Sequence, residues 1–482
     1  MPICFHTPHH AESQHFGGID TTFLRLETVS HLLSVGVLLQ FTDSLPAKNA
    51  ILKALQNLAF TYPRFASIVD DFRGVGRASF RVFPDFDVSK HFKVAYVSNP
   101  HDDTEIATIV EQSMSTPLDR SRPLWEAIMI VNRQHYEEAL DADAELVVGP
   151  GAVFFKWHHC IVDGCGSLPL IQGMGFKEDS TFDSPIQKLR ASFMTIHLDP
   201  RPWWQRLFKP VYEMGALCRF LYFLLKLMML PRSGHILFKG KSGPYKHVAF
   251  APASASVLKL KEYGRTFGAT LNDVLLFALR TAIMNPSKSC LLPSDKPEPL
   301  PPVSLRTINL NGSSGDGKPP QPQTCVGPLI FVPINIRPLL SIGDLGNALG
   351  FVRIRPGDTI QSVHSIMHSR KRSLQPVWDW RTMCLLGFFP QKIIRWINGV
   401  LLKERAIIAT NVRGPSTCIS LQGHRVTSIR GIAPAANEGG YSVTFVSYNG
   451  EVYTSVLADR DAVLSANKLA REIAATLESW SR

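Results

Sequence analysis

The chain has 482 residues, 45% of them hydrophobic, more than one ordinary core accommodates and enough for two. Its 51 Lys and Arg against 40 Asp and Glu leave a formal charge of +11, which favours anionic partners such as a membrane surface or a phosphorylated cofactor. No long Lys/Arg run or RNA-binding signature accompanies that charge, so no nucleic-acid partner is expected.

The eight cysteines show no paired C-x-x-C spacing. Cys160 and Cys165 stand close together without a second pair to complete a zinc site. They read as free thiols in a reducing compartment, and no metal is expected. The N-terminus, MPICFHTPHHAESQHFGG, lacks a basic region followed by an apolar core, so a cleaved signal peptide is not expected. His6, His9, His10 and His15 lack Cys or carboxylate ligands at fitting spacing, and residues 1–17 read as a solvated tail.

Residues 34–41 read as a buried strand. Residues 47–60 repeat apolar side chains at helical spacing (Ile51, Leu52, Leu55, Leu58, Ala59) and stop before Pro63. A short strand at 78–83 and a helix at 104–115, capped by Asp102 or Asp103, follow. In PLDRSRPLWE, residues 117–126, Pro117 and Pro123 forbid a continuous helix. Asp119 and Arg122 there either form a local ion pair or touch a substrate. Residues 125–131 (WEAIMIV) and the strand ending in AVFFKWHH are joined by a polar loop and predict an antiparallel pair.

That second strand runs into His158-His159-Cys160-Ile161-Val162-Asp163-Gly164. Side chains alternate along a strand. Val153, Phe155, Trp157 and His159 therefore share one face, and Phe154, Lys156 and His158 share the other. At most one histidine faces any given site. Two readings stand at this point. The segment is either an ordinary strand end with an Asp-Gly turn, or it presents an imidazole able to take a proton from a hydroxyl. Asp163 either locks the turn or pairs with an arginine.

Residues 202–230 (PWWQRLFKPVYEMGALCRFLYFLLKLMML) are dense in Leu, Phe and Met, but Glu213, Arg219 and Lys226 interrupt the run. Each central Arg or Lys costs about 2.5–3.5 kcal/mol in a membrane span. A helix lying in the bilayer interface, or a buried inter-domain helix, fits better than a simple span. A strand at 246–251 and a helix at 254–267 come next. In GATLNDVLL, residues 268–276, Thr270 and Asp273 can cap a buried helix. Residues 285–324, rich in Pro, Ser, Gly and Asp, read as a long insertion. Residues 327–337 form a strand ending at Arg337, and 346–351 lead into another. Between 387 and 403, Ile393, Trp396, Ile397, Val400 and Leu401 recur at helical spacing, with Lys392, Arg395 and Lys403 around them. That is the pattern of a basic interfacial helix or of a core-facing one. A strand at 405–410 turns at Asn411-Val412-Arg413-Gly414-Pro415. Strands at 441–448 and 451–458 flank Asn449-Gly450, a hairpin signal, and a helix at 464–480 closes the chain.

PLDRSRPLWE, HHCIVDG, LNDVLLFAL, GNALG, NVRGP and SYNGEVYTSVLAD occur in one order along the chain. As a set the chain resembles the bifunctional wax ester synthase/diacylglycerol acyltransferase family, part of the wider group carrying the His-His-x-x-x-Asp-Gly motif. The resemblance covers about residue 18 to the C-terminus. It implies an α/β, two-domain CoA-dependent-acyltransferase-like fold, each domain a mixed sheet packed with helices, with an active-site tunnel between them. The domains would be 18–200 and 246–482, with 201–245 a hydrophobic connection. It further implies transfer of a fatty acyl group from acyl-CoA, a co-substrate and no bound cofactor, to a long-chain alcohol or diacylglycerol. His159 would be the general base, His158 its supporting motif partner, Asp163 structural, and Gly164 the turn. Arg337 is the implied ion-pair partner of Asp163. Leu124 and Trp125 would shape the acyl tunnel, Asn272 and Asn411 are candidate oxyanion donors, and Arg413, where the family has Pro, would lie near the CoA phosphates. The expected setting is a membrane or lipid-droplet surface, on the cytosolic face. A condensation-type enzyme using a carrier-bound acyl donor and a non-catalytic lipid-binding protein are the competing readings.

Overall fold

The computed structural model describes residues 14–15, 17–71, 74–134, 136, 149–166, 170–171, 173–178, 225, 243–284, 328–336, 346–357, 359–401, 406–462 and 464–481. The expectations for the 201–245 connection, the 285–324 insertion and Arg337 lie outside the described residues, Leu225 and residues 243–245 apart.

The first sheet has five strands: β1 (Ser34–Phe41), β2 (Phe92–Val97), β3 (Trp125–Asn132), β4 (Gly151–His158) and a strand from far along the chain, Ser428–Ile432. Their order is Ser428–Ile432, β1, β4, β3, β2. The expected antiparallel pairing of β3 and β4 is present, with Trp125 opposite Trp157 and Glu126 opposite Lys156. Alternation along the strands sorts the side chains onto two faces. On one face Val153, Phe155 and Trp157 pack with α2 (Lys48–Thr61) through Ile51, Leu55 and Leu58. On the other, Ala152 and Phe154 pack with Ile106, Val110 and Met114 of α3 (Asp103–Met114). Asp102 caps α3, its side chain accepting from the Thr104 N–H, a contact worth about 1 kcal/mol.

The second sheet contains β5 (Lys246–Phe250), β6 (Ile330–Asn335), β7 (Leu349–Ile354), β8 (Ile407–Arg413), β10 (Tyr441–Tyr448) and β11 (Glu451–Asp459), together with the two-residue strand Ala255–Ser256. Ser428–Ile432 is β9. The β10–β11 hairpin turns at Asn449 (φ 48) and Gly450 (φ 83), the two positive angles that a tight hairpin turn requires. β8 runs on through Asn411 to Arg413, so the chain turns at Gly414-Pro415, later than the sequence suggests. The helices α4 (Val257–Thr266), α5 (Leu271–Met284), α6 (Ile360–Arg372) and α9 (Ala466–Trp480) build the core on one face of this sheet. Val274, Leu275, Ala278 and Leu279 of α5 are at most 1% exposed, and each large apolar side chain buried this way contributes about 1.5–3 kcal/mol.

The opposite face of the second sheet meets the first half of the chain. α1 (Gly18–Leu26), α7 (Gln375–Leu386) and α8 (Gln391–Leu401) close over it. The approach is tight. A Cβ on Gly18 would lie 2.1 Å from the Cys384 carbonyl oxygen, and one on Gly350 would lie 2.1 Å from that of Pro376. The two sequence halves also exchange material. β9, from the second half, pairs antiparallel with β1, Arg430 opposite Leu38. Sheet membership therefore does not follow a simple division at residue 246.

Candidate functional site

β4 ends at His158, and the His159 N–H donates to the Leu33 carbonyl at 2.8 Å. The His159 ring lies against Phe23 of α1, centroids 4.3 Å apart. Its Nδ1 is 2.8 Å from Oδ1 of Asn347. The Asn347 amide has only one orientation that fits. Its Nδ2 donates to Asp20 Oδ1 at 2.7 Å and to the His159 carbonyl at 2.6 Å, both pure acceptors. Oδ1 must therefore face the imidazole, and His159 Nδ1 must donate. The proton is thus assigned to Nδ1, and Nε2 keeps its lone pair.

Asp20 anchors this clamp. It is 1% exposed, and it also accepts from the Asn347 N–H at 3.2 Å. Arg64 Nη1 reaches Asp20 Oδ2 at 3.4 Å and donates to the Ile161 carbonyl at 3.1 Å. Burial raises the Asp20 carboxyl above its usual range, against the lowering pull of Arg64 and Asn347. Burial lowers His159 below the ordinary 6.5, although Asp163 and Asn347 pull the other way. Burial therefore favours the neutral ring.

Asp163 ties the turn to the second half of the chain. Its carboxylate accepts from the Gly166 N–H at 3.0 Å and from the Ala348 N–H at 3.1 Å. Asn347 and Ala348 are thus held against the motif by adjacent residues. Gly164 lies where an added Cβ would meet Val412 at 3.4 Å. His158 faces away, as strand alternation requires. The Cys160 N–H donates to its Nδ1 at 3.0 Å, and its Nε2 stands 3.2 Å from Glu27 Oε2. Burial would raise Glu27, but His158 and the Leu33 N–H overcome it and bring its pKa to about 2.

His159, Asp163 and Gly164 lie on the wall of a cavity of about 240 Å³ between the two sheets. Its floor is one face of the second sheet. Asn335, Pro333 and Phe331 of β6 stand opposite Leu349, Phe351 and Arg353 of β7. Thr410 and Val412 of β8 stand beside Thr444 and Val446 of β10. The roof includes Phe23, Val35 and Trp157 from the first half, and Met383 and Leu386 of α7. This is a mostly hydrocarbon-lined space with an imidazole in its wall.

The expected site residues divide. Asn411 and Arg413 line the cavity, both exposed at its mouth beside Gly414 and Pro415. Leu124 and Trp125 do not line it. Both are 1% exposed, and Trp125 packs against Phe155 and His91 while its Nε1 donates to the Phe65 carbonyl at 2.7 Å. They brace the first sheet behind the cavity, which corrects the expectation that they shape its wall. Asn272 is buried in α5 beneath the second sheet and is absent from the wall, so it is not placed to meet an oxyanion there. Its neighbour Asp273 completes the helix cap with Thr270 and lies 2.8 Å from His364 Nδ1. Asp119 and Arg122 form the local pair, 3.4 Å apart. Sequence reasoning gave no role to Asp20, Glu27 or Asn347. The only hint was the Gly-Asn-Ala-Leu-Gly run, where a polar side chain sits between residues suited to close backbone approach.

An imidazole held in one tautomer in the wall of a mostly apolar cavity is an arrangement suited to general acid–base chemistry on an apolar substrate. Comparison with known proteins carries this further. The wax ester synthase/diacylglycerol acyltransferase catalytic domain matches residues 16–221, and the C-terminal domain of the same family matches residues 346–480. A protein named "Probable diacyglycerol O-acyltransferase tgs1" from Mycobacterium tuberculosis is 25% identical, over 95% of this chain and 94% of its own length. "Wax ester synthase/diacylglycerol acyltransferase 9" of Arabidopsis thaliana is 23% identical over 89% and 88%. Among solved structures, the wax ester synthase/diacylglycerol acyltransferase of Marinobacter aquaeolei VT8 aligns with TM-score 0.58 at 18% identity, over 97% of this chain and 98% of that one. The trichothecene 15-O-acetyltransferase of Fusarium sporotrichioides aligns with TM-score 0.59 at 11% identity, over 97% and 94%. The chain belongs to the wax ester synthase/diacylglycerol acyltransferase family and is an O-acyltransferase.

Proposed function

We propose that this enzyme moves a fatty acyl group from acyl-CoA to the hydroxyl of a long-chain alcohol or diacylglycerol, with His159 as general base. The observation that carries the reading is the clamp on His159 Nδ1, which leaves Nε2 as a lone pair in the cavity wall. The acceptor O–H gives its proton to Nε2 as the oxygen attacks the thioester carbonyl. The tetrahedral intermediate collapses, the C–S bond breaks, and the imidazolium returns the proton to the departing thiolate. No acyl-enzyme forms, because the base activates the acceptor directly. Asn411, at the cavity mouth, is the candidate oxyanion donor. Arg413, exposed beside it, offers a positive charge to the CoA phosphates.

The reading extends to a membrane or lipid-droplet surface, cytosolic side. Leu385, Phe388, Phe389, Ile393 and Trp396 of the α7–α8 region are all exposed, Trp396 by 64%. Ile394 is fully buried instead, so the Ile393–Trp396 edge of α8 faces outward with Lys392 beside it. Exposed apolar side chains with adjacent basic ones suit an anionic lipid interface.

The test is His159→Ala, assayed for ester formation from palmitoyl-CoA with hexadecanol and with dioleoylglycerol. The variant is expected to fold, by circular dichroism and melting temperature, and to lose at least about 1,000-fold in kcat/KM. Retained turnover in the folded variant would remove His159 from the mechanism.

A further inference from the structure

The stretch from Pro117 to Glu126 contributes no residue to the cavity wall, so the reading above gives it no part in the reaction. It is nevertheless a pinned loop. Asp119 accepts from the Ser121 N–H at 2.9 Å and from the Ser121 hydroxyl at 2.7 Å, and it pairs with Arg122 at 3.4 Å. The Leu124 carbonyl accepts from the His158 N–H at 2.9 Å, which registers the loop against the end of β4. From this loop Arg120 reaches α1.

α1 ends at Leu26, and the last carbonyls of a helix have no partner within it. The amide that would continue the helix past Leu24, that of Thr28, donates instead to the His31 carbonyl at 3.1 Å. Arg120 takes its place. Its Nη2 donates to the Leu24 carbonyl at 3.0 Å and stands 3.5 Å from Glu27 Oε1. A cation there also complements the negative end of the helix dipole. The other carboxylate oxygen of Glu27, Oε2, accepts from the Leu33 N–H at 3.1 Å, and the Leu33 carbonyl accepts from the His159 N–H at 2.8 Å. Phe23, the residue before Leu24, carries the ring that lies on the imidazole. Two short routes therefore lead from one guanidinium to the base. One passes through Glu27 and Leu33 to its backbone, the other through α1 to the face of its ring.

We propose that Arg120 is a positioning residue for His159: it holds Glu27 and the C-terminal end of α1, which together fix the imidazole against the cavity. The proposal rests on the acyl-transfer reading with His159 as base. The Arg120 side chain is 48% exposed and absent from the cavity wall, so it orients the base and does not bind substrate. Its loss should therefore appear in kcat and spare KM. The Arg122 side chain, which pairs with Asp119 inside the loop, has no such reach.

The test is Arg120→Met, which keeps the aliphatic stem and removes the donor, made beside Arg120→Gln so that one folded variant suffices. Exposed ion pairs add little stability, so both are expected to keep the wild-type circular dichroism spectrum and to melt within a few degrees of wild type. Ester synthesis from palmitoyl-CoA and hexadecanol is expected to fall about tenfold in kcat, a fraction of the roughly 100-fold loss that a misplacement of about 1 Å causes, with both KM values within about twofold of wild type. Added to His159→Ala, Arg120→Met should change the residual rate by less than about twofold, because there is no ring left to orient. Arg122→Met is expected to behave as wild type. A folded Arg120 variant with wild-type kcat overturns the proposal. So does a loss confined to KM, the same loss persisting without the imidazole, or an equal loss in Arg122→Met. Full turnover by His159→Ala overturns the reading on which the proposal rests, and it is seen in that single variant without reference to Arg120.

Discussion

Asn347→Ala tests the clamp that prepares the base. The substitution removes the acceptor for His159 Nδ1 and both donors that Nδ2 supplies to Asp20 and the His159 carbonyl. A freed imidazole partitions between its two tautomers, which alone costs only about a factor of two. The ring also loses its orientation, and a misplacement of about 1 Å costs about 100-fold. The expected fall in kcat is thus about 100-fold, about 2.7 kcal/mol of transition-state stabilisation, with KM for both substrates little changed. Stability should drop by about 2–3 kcal/mol, because Asp20 loses a charge-assisted side-chain donor while buried. The assay is steady-state ester synthesis with a pH profile, alongside chemical denaturation. In the wild type the acid limb of kcat/KM lies below the ordinary 6.5, since burial lowers His159. Asn347 favours the charged ring, so its removal moves that limb further down. A folded variant whose kcat stays within about threefold of wild type would refute the clamp as a determinant of activity.

Glu27 has a folded pKa of about 2 against an ordinary 4.5, so its stabilisation is full above about pH 4.5 and lost as pH falls toward 2. The difference amounts to about 3 kcal/mol, and Glu27→Gln should flatten that part of the acid denaturation curve. Gly350→Ala would push a methyl into the Pro376 carbonyl and should cost about 1–3 kcal/mol or more, read from the melting temperature. Arg413→Glu should raise KM for acyl-CoA several-fold at low salt, with the difference shrinking as ionic strength rises. Trp396→Asp with Phe388→Asp should reduce co-sedimentation with anionic vesicles and leave turnover of detergent-dispersed substrate near wild type.

Much of the architecture was legible because its signals are local. The alternating strands at 125–131 and 151–158, the Asn-Gly hairpin and the capped helix after Asp102 each carry their own pattern within a few residues. The His159 end of β4 was legible for the same reason, since strand alternation separates it from His158. What holds His159 in its tautomer was not. Asn347 lies 188 residues away along the chain and Asp20 lies 327 from Asn347, separations over which periodicity carries no information. α1 was missed because its short apolar and Thr-rich run merges with the strand that follows. Trp125 was misassigned because a tryptophan beside a functional motif looks the same from sequence whether it faces a ligand or a sheet core. The crossing of β9 into the first sheet has no signature beyond an unremarkable five-residue run.

That crossing has a bearing on how lipid gets in. With β9 hydrogen-bonded to β1 along its whole length, the two lobes are stitched by backbone and cannot swing apart like a clamshell without tearing a sheet. Entry to the cavity therefore has to come from movement of the side chains, loops and helices around it rather than from parting of the two sheets.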